Sequence, residues 1–303
     1  MATKKNCKTC TCGIHEISSR PLLVRFKTGS FEPRNLLIFF IIAFGWSWIS
    51  WYISGSLELP SGIGTPHLDI WSAGPVILFL FLMPFGPTIA AFLVTGFTEG
   101  KAGVKALWNR FWNVRIGWRW WLAVILVPVI LQGIPHLLLR MFENFHPSTY
   151  YFRNPWQIVP MLIFSVIVGG LSEEFGWRGY VLPRFQAKWN ALTSSLILGV
   201  IWVLWHLPLW FIGPSIRQTP ILPWAIAHIL LSVFYTWIFN NTNGNILGAV
   251  VFHAWSDKVP DIFQATYHPY YWIVQILAIA IILAIFGYRR MIRSSREESN
   301  CQL

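Results

Sequence analysis

The sequence predicts an all-α polytopic membrane protein in which about eight transmembrane helices enclose a polar cavity open to the cytoplasmic side. Of the 303 residues, 55% are hydrophobic and only 12% are charged. Trp and Phe are unusually frequent, with 19 and 23 residues. Apolar runs recur at the length of ~20 residues that a helix needs to cross a bilayer. This combination excludes an ordinary soluble domain and a disordered chain.

Eight apolar runs are candidate spans. In chain order they cover 35–57, 75–97, 118–139, 156–183, 191–211, 221–239, 245–257 and 270–288. The fourth must continue through a pair of glutamates if it is to span, and such polar positions are expected to be shielded by protein. We expect one membrane domain, 34–290, with a catalytic core at about 156–257, between cytoplasmic tails 1–33 and 291–303. Basic and apolar residues alternate in 101–114, which predicts a surface helix or a basic loop.

The basic residues orient these spans. Nineteen of the 23 Lys and Arg residues fall in the tails and connections of one side. The other four are Arg140, Arg153, Arg217 and Lys258. Because basic residues collect on the cytoplasmic side, both termini are predicted to be cytoplasmic in a protein integral to the cell membrane. The net charge of +11 is thereby explained without a nucleic-acid partner. Membrane lipid is an expected partner, and the sequence gives no oligomeric state.

The N-terminal tail carries a group of soft side chains. Cys7, Cys10, Cys12 and His15 could supply four ligands to zinc. Nine contiguous residues make a poor cage, so free or lipid-modified thiols are favoured over a metal site. No cofactor is expected elsewhere.

Two adjacent carboxylates stand in the fourth apolar run. Glu173 and Glu174 precede Arg178 in the stretch LSEEFGWRGY. Ionisable groups inside a membrane segment are costly and therefore indicate function. Residues four apart share a helix face, so Glu174 is predicted to pair with Arg178. Glu173 is then a carboxylate without a cation, suited to a general base, although a structural ion cluster remains open.

Polar residues in two other spans are expected at a similar depth. His206 follows Trp202 by one turn in the fifth span, and no nearby residue satisfies it. His253 and Asp257 share one face of the seventh span. At 1.5 Å per residue, Glu173, His206 and His253 lie roughly 19, 22 and 12 Å from the cytoplasmic ends of their helices. The three spans are therefore predicted to form one polar site. His136 and His228 are expected to be packing residues bonded to backbone carbonyls.

These stretches resemble the motifs of a known family. EEFGWR fits EExxxR, WVLWH resembles FxxxH with Trp202 in place of Phe, and HAWSD resembles HxxxN with Asp257 in place of Asn. In order and placement they are similar to the CAAX protease and bacteriocin-processing family of intramembrane glutamic endopeptidases, which includes the type II CAAX prenyl protease. The resemblance covers 156–257, about a third of the chain.

The resemblance implies hydrolysis of a peptide bond without a covalent intermediate. Glu173 with His206 would activate a water, and His253 with Asp257 would stabilise the oxyanion. Glu174 and Arg178 would position Glu173. The substrate implied is a membrane-associated peptide or a lipidated protein. An ionised Asp257 accepts hydrogen bonds only, so it is either protonated or serves to orient His253.

Two alternatives stay open at this stage. The histidines and carboxylates could bind zinc and form a metal-dependent membrane protease, although HExxH is absent from the sequence. The chain could also be a non-catalytic membrane protein, either a transporter or a binding and immunity factor. No inverted repeat is apparent, which disfavours a transporter.

Overall fold

The computed structural model describes residues 30–56, 82–212 and 219–293. Over these ranges the chain forms long helices joined by short turns, and the all-α prediction is confirmed. The long helices are α1 (Pro33–Ser56), α2 (Gly86–Trp112), α3 (Trp118–Phe142), α4 (Pro155–Gln186), α5 (Ala191–His206), α6 (Ile221–Asn241), α7 (Ile246–Phe263) and α8 (Pro269–Phe286). The tail residues Cys7, Cys10, Cys12 and His15, and nearly all of the two predicted tails, lie outside the described ranges.

Within the described ranges, six helices are long and apolar enough to cross a membrane. They are α1, α3, α4, α6, α8 and the segment Ala191–Phe211, which begins with α5. Large apolar side chains on their outer faces are exposed, for example Ile41 at 63%, Leu137 at 58% and Ile281 at 60%. Exposed apolar faces on helices of this length suit lipid rather than water. The chain is therefore an integral membrane protein.

The other two predicted spans correspond to α2 and α7, with different ends. α7 continues past Asp257 to Phe263, and Lys258 and Asp261 pair on it at 3.5 Å. α2 extends beyond 97 to Trp112, with a break at Gly100, whose φ is +67°. The predicted segment 101–114 is therefore helical through Trp112 and is not a loop.

Glycines allow the helices around α4 and α5 to approach one another. A Cβ on Gly176 of α4 would lie 2.6 Å from the Pro87 carbonyl oxygen of α2. A Cβ on Gly199 of α5 would lie 2.9 Å from the Ile229 Cα of α6. Small residues at helix contacts are the usual means of close packing in membranes. α4 is thereby held between α2 and α7, and α5 lies along α6.

The segment after α8 ties several helix ends together. The backbone N–H of Ala191 donates to the Arg289 carbonyl at 2.8 Å, at the start of α5. The side-chain amides of Asn240 and Asn241 donate to the carbonyls of Arg290 and Met291 at 2.8 and 2.6 Å. The start of α5 and the ends of α6 and α8 therefore share one end of the bundle, as the alternating direction of the predicted spans requires.

Deleting 288–303 should destabilise the protein. The buried Ala191 N–H loses its acceptor, which costs about 1–3 kcal/mol, and the fully buried Met291 is removed. We expect a lower temperature of unfolding in detergent, followed by tryptophan fluorescence. Deletion of 294–303 alone is the control, and equal stability of the two truncated proteins would contradict this role.

Candidate active site

The glutamate pair lies at an irregular part of α4. Ser172–Glu174 is a short α-helical segment between two π-helical stretches, Val166–Leu171 and Phe175–Val181. Such wide turns are rare and frequently occur at functional sites. Gly170 faces α7 so closely that a Cβ there would lie 2.7 Å from the Val250 carbonyl oxygen. The irregular stretch thus places the glutamates directly against α7.

Glu174 connects α4 to α7 through two partners. Its Oε1 accepts a hydrogen bond from Arg178 Nη1 at 2.9 Å, and neither side chain is exposed. The same oxygen lies 2.7 Å from His253 Nδ1. The Arg178 guanidinium also lies over the Tyr235 ring of α6, 3.9 Å from its centroid. The predicted pairing of Glu174 with Arg178 is present, and His253 is an additional partner.

The two carboxylate oxygens of Glu173 have different partners, tryptophans on one and histidines on the other. Oε2 accepts hydrogen bonds from Trp177 Nε1, at 3.1 Å, and from Trp202 Nε1 of α5. Oε1 faces His206 Nε2 at 3.9 Å and His253 Nε2 at 4.0 Å. The structure therefore brings the three expected groups together around one carboxylate oxygen. Trp202, expected only as an aromatic wall, also donates a hydrogen bond that fixes this carboxylate.

Both histidine rings are oriented through Nδ1. His206 is the last residue of α5, and its Nδ1 lies 2.9 Å from the Trp202 carbonyl oxygen. The expectation that no nearby residue satisfies it was wrong, because this bond is made one turn back on the same helix. A carbonyl or carboxylate oxygen accepts, so Nδ1 donates in His206 and in His253. Each ring then presents Nε2 to Glu173.

Asp257 lies at the more exposed edge of this group. Its Oδ2 is 3.5 Å from His253 Nε2 and accepts a hydrogen bond from Ser165 Oγ at 2.8 Å. The Asp257 side chain is 36% exposed, whereas that of His253 is 3% exposed. Ser165 was not expected from the sequence, since a lone serine in an apolar run gives no signal. It is the last residue before the first π-helical stretch.

The remaining intramembrane histidines bond to carbonyls as expected. His136 Nδ1 lies 2.7 Å from the Phe263 carbonyl oxygen, and His228 Nδ1 lies 2.8 Å from that of Trp224. His228 also stacks on Trp224, whose ring is 5.3 Å from that of His206. Two surface clefts of about 300 and 420 Å³ lie at the end of the bundle away from the start of α5. Their lining residues include Glu143 and Asp261.

Comparison with known proteins relates part of this chain to prenyl proteases. Residues 155–259 match the sequence model of a family described as type II CAAX prenyl endopeptidase Rce1-like. We call residues 155–259 the Rce1-like segment after this similarity. The chain is also 22% identical over 237 residues to CAAX prenyl protease 2 of Methanococcus maripaludis, an alignment that covers 72% of this chain and 81% of the relative. The Rce1-like segment contains all the candidate site residues described above.

The Rce1-like segment can be tested geometrically for a metal site. Tetrahedral zinc with bonds of 2.0–2.1 Å brings its ligand atoms to roughly 3.4 Å from one another. Glu173 Oε1 is 3.9 and 4.0 Å from the two histidine nitrogens. Both separations are longer than this ligand spacing. Among the described residues, no three His, Cys, Asp or Glu side chains are grouped as metal ligands.

Gly169 keeps the space beside His253 open. A Cβ at this position would lie 3.0 Å from both His253 Nε2 and Asp257 Oδ2. Gly169→Ala should therefore push these groups away from Glu173, and displacement of a reacting group can cost about 100-fold in rate. Gly45→Ala is the matched control, since a Cβ there has no heavy atom within 4 Å. Equal activity of the two variants on a peptide that the unchanged protein cleaves would show that Gly169 borders no reacting group.

Proposed function

We propose that this protein is an integral membrane endopeptidase that hydrolyses a peptide bond of a lipidated or membrane-associated peptide with a water activated by Glu173 and His206. The observation that carries the proposal is that Glu173 Oε1 faces two histidine nitrogens at 3.9 and 4.0 Å. A water oxygen about 2.8 Å from each atom fits between groups separated by such distances.

The two histidines have different surroundings and receive different roles. Among the residues that the structure describes, His253 contacts three carboxylates, those of Glu173, Glu174 and Asp257, whereas His206 contacts that of Glu173 alone. His253, with its Nδ1 proton bonded to Glu174, donates from Nε2 only as the imidazolium, a form that the three carboxylates favour. His206, with its Nδ1 proton on a carbonyl, offers a lone pair at Nε2. His206 therefore holds the water, and His253 holds the substrate carbonyl oxygen.

Hydrolysis then proceeds in two steps without a covalent enzyme intermediate. Glu173 takes a proton from the water as the water oxygen adds to the carbonyl carbon, and His253 stabilises the resulting oxyanion. The C–N bond then breaks, its electron pair goes to nitrogen, and Glu173 returns the proton to that nitrogen. The products are a carboxylic acid and an amine, and Glu173 is again ionised.

The substrate class comes from the relatives. The matched family and the Methanococcus maripaludis protein are both described as CAAX prenyl proteases or endopeptidases. We therefore assign a prenylated peptide as the substrate class. The basic residues further support a cell-membrane protein with one membrane domain, 34–290, and both termini in the cytoplasm.

The test uses the full chain, purified and reconstituted into proteoliposomes. A farnesylated peptide ending in a CAAX-type sequence and the same peptide without the lipid are compared by mass spectrometry. We expect cleavage of the farnesylated peptide, faster than of the unmodified one. Cleavage of neither peptide would overturn the proposed activity, and equal cleavage would remove the assignment of a prenylated substrate.

The water-activation mechanism also predicts the effect of chelators. Because Glu173 and His206 activate the water without a metal, activity should survive prolonged treatment with EDTA and 1,10-phenanthroline. The measurement is the initial rate before and after treatment, with a zinc protease treated in parallel as the control. Loss of activity that added zinc restores would favour the metal-dependent alternative.

A further inference from the structure

The pair formed by Ser165 and Asp257 lies beside the proposed oxyanion donor, and its chemistry does not suit an oxyanion. Asp257 Oδ2 lies 3.5 Å from His253 Nε2 and accepts from Ser165 Oγ at 2.8 Å. An ionised carboxylate can only accept hydrogen bonds. It would repel the negative charge that develops on the substrate carbonyl oxygen.

We propose that Asp257 instead binds the nitrogen of the scissile amide, and that Ser165 is the positioning residue that holds the Asp257 carboxylate in place. The inference rests on the proposed peptide hydrolysis. It adds an acceptor on the leaving-group side to the donor that His253 provides on the carbonyl side.

The geometry supports this division. In a peptide group the oxygen and nitrogen bonded to one carbon are about 2.3 Å apart. A carbonyl oxygen bound at His253 Nε2 therefore brings its own nitrogen close to Asp257, only 3.5 Å from the same ring nitrogen. Glu173 Oε1 lies 4.0 Å from the same ring nitrogen. Glu173 therefore supplies the proton for the departing nitrogen, and Asp257 supplies a hydrogen-bond acceptor for its N–H.

Ser165 fixes which acceptor faces the site. It is buried, at 3% exposure, on α4, whereas Asp257 lies on α7 and is partly exposed. The hydroxyl bond at Oδ2 therefore anchors a carboxylate that would otherwise rotate towards solvent. Gly169, whose Cβ would lie 3.0 Å from Asp257 Oδ2, lets this carboxylate lie close to α4.

The chemical step gives Asp257 a defined role. When the C–N bond breaks, nitrogen receives the bonding electron pair and the proton held by Glu173. The N–H of the scissile amide, and then of the departing amine, donates to Asp257. Asp257 gains no proton in this step; it holds the nitrogen through this hydrogen bond while Glu173 protonates it, and the nitrogen departs as a neutral amine.

An ester substrate separates this role from an oxyanion role. The peptide bond that the unchanged protein is found to cleave is replaced by an ester, which has no N–H and departs as an alcohol. We expect Asp257→Asn, which loses the charge but keeps an amide oxygen as acceptor, to lower kcat/KM on the amide about 10-fold, the difference between a hydrogen bond to a charged group and one to a neutral group. On the ester the loss should be less than about threefold, because no hydrogen bond from nitrogen exists to be lost.

Three further variants complete the test. Ser165→Ala should show the same amide-selective loss to a smaller degree, and Ser165→Thr, which keeps the hydroxyl, should restore most of the activity. Asp261→Asn removes a carboxylate one turn further along α7, where Asp261 pairs with Lys258 at 3.5 Å, and should leave both substrates unaffected.

Each outcome decides the inference. An Asp257→Asn variant that keeps its amide activity, or that loses amide and ester activity equally, would overturn the role on the leaving group. If the unchanged protein cleaves no peptide, the proposed function fails and this inference fails with it. If the unchanged protein cleaves the peptide but the variants show no amide-selective loss, the inference about Asp257 is wrong and the proposed function stands.

Discussion

Glu173→Gln is expected to lower kcat for peptide cleavage by about 10²- to 10⁴-fold, the contribution typical of a general base. Glutamine keeps the size of the side chain and can still accept the hydrogen bonds from Trp177 and Trp202. The fold and the affinity for the peptide should therefore persist. Cleavage is measured by mass spectrometry, and binding by the fluorescence anisotropy of a labelled farnesylated peptide in proteoliposomes.

Glu143→Gln is the matched control for the change of charge. Glu143 pairs with His268 at 3.0 Å, at the end of the bundle away from the start of α5. This variant should cleave at the rate of the unchanged protein. Equal rates for Glu173→Gln and Glu143→Gln would remove the catalytic role of Glu173. Peptide binding by the unchanged protein without cleavage would favour the non-catalytic binding or immunity factor.

Glu174→Gln is expected to affect stability as well as activity. It leaves the fully buried Arg178 without a counter-ion, and breaking a buried ion pair in this way costs about 3–5 kcal/mol. It also weakens the hydrogen bond that orients His253 through Nδ1. We expect a lower free energy of unfolding in detergent titration, together with a reduced rate of cleavage for the protein that remains folded.

Glu99→Gln tests whether the loss of stability comes from the burial of the ion pair or from the loss of any ion pair. Glu99 bonds Arg184 at 2.6 Å, but the Glu99 side chain is 46% exposed. Partly exposed pairs contribute about 0–1 kcal/mol, so this variant should be nearly as stable as the unchanged protein. A comparable loss of stability in the two variants would contradict the special role of the buried pair.

A double variant, Glu174→Gln with Arg178→Met, tests the two roles of Glu174 separately. Replacing both charges removes the buried guanidinium, so part of the stability should return. Activity should not return, because His253 Nδ1 still lacks the Glu174 carboxylate that orients the ring. Recovery of both properties would mean that Glu174 acts only as the counter-ion of Arg178.

Much of the fold could be predicted because the membrane imposes it. Backbone groups in lipid must be satisfied within the helix, so apolar runs of sufficient length translate directly into helices. The ends of these helices were less accurate. α7 extends to Phe263 and carries the pair Lys258 and Asp261 on its surface, whereas the span predicted from hydropathy ends at the first charge, Asp257.

The candidate site could be predicted in its residues but only partly in its contacts. Helical spacing placed Glu174 beside Arg178, and this i, i+4 relation survives in the structure. The estimated depths of Glu173, His206 and His253 differed by up to roughly 10 Å, whereas the structure places Glu173 Oε1 3.9 and 4.0 Å from the two histidines. α4 contains two π-helical stretches, and no local sequence pattern predicts them.

The contacts that the sequence did not reveal are those between helices. The hydrogen bonds from Trp202 to Glu173, from His253 to Glu174 and from Ser165 to Asp257 each join side chains far apart in the chain. Such pairs depend on how the helices rotate and pack against one another, and this cannot be predicted from the pattern of a single sequence. The glycines at 169 and 170 were the available signal, because small residues mark close helix contacts.

The central claim, that Glu173 activates a water for direct attack on a peptide bond, is tested most directly by isotope labelling. The purified, chelator-treated protein is incubated with the farnesylated peptide in H₂¹⁸O for less than one turnover. The masses of the products are then determined by mass spectrometry. We predict one ¹⁸O atom in the new carboxyl group with the unchanged protein and no product with Glu173→Gln. A first-turnover product without ¹⁸O, or labelled product at an equal rate from Glu173→Gln, would contradict this account.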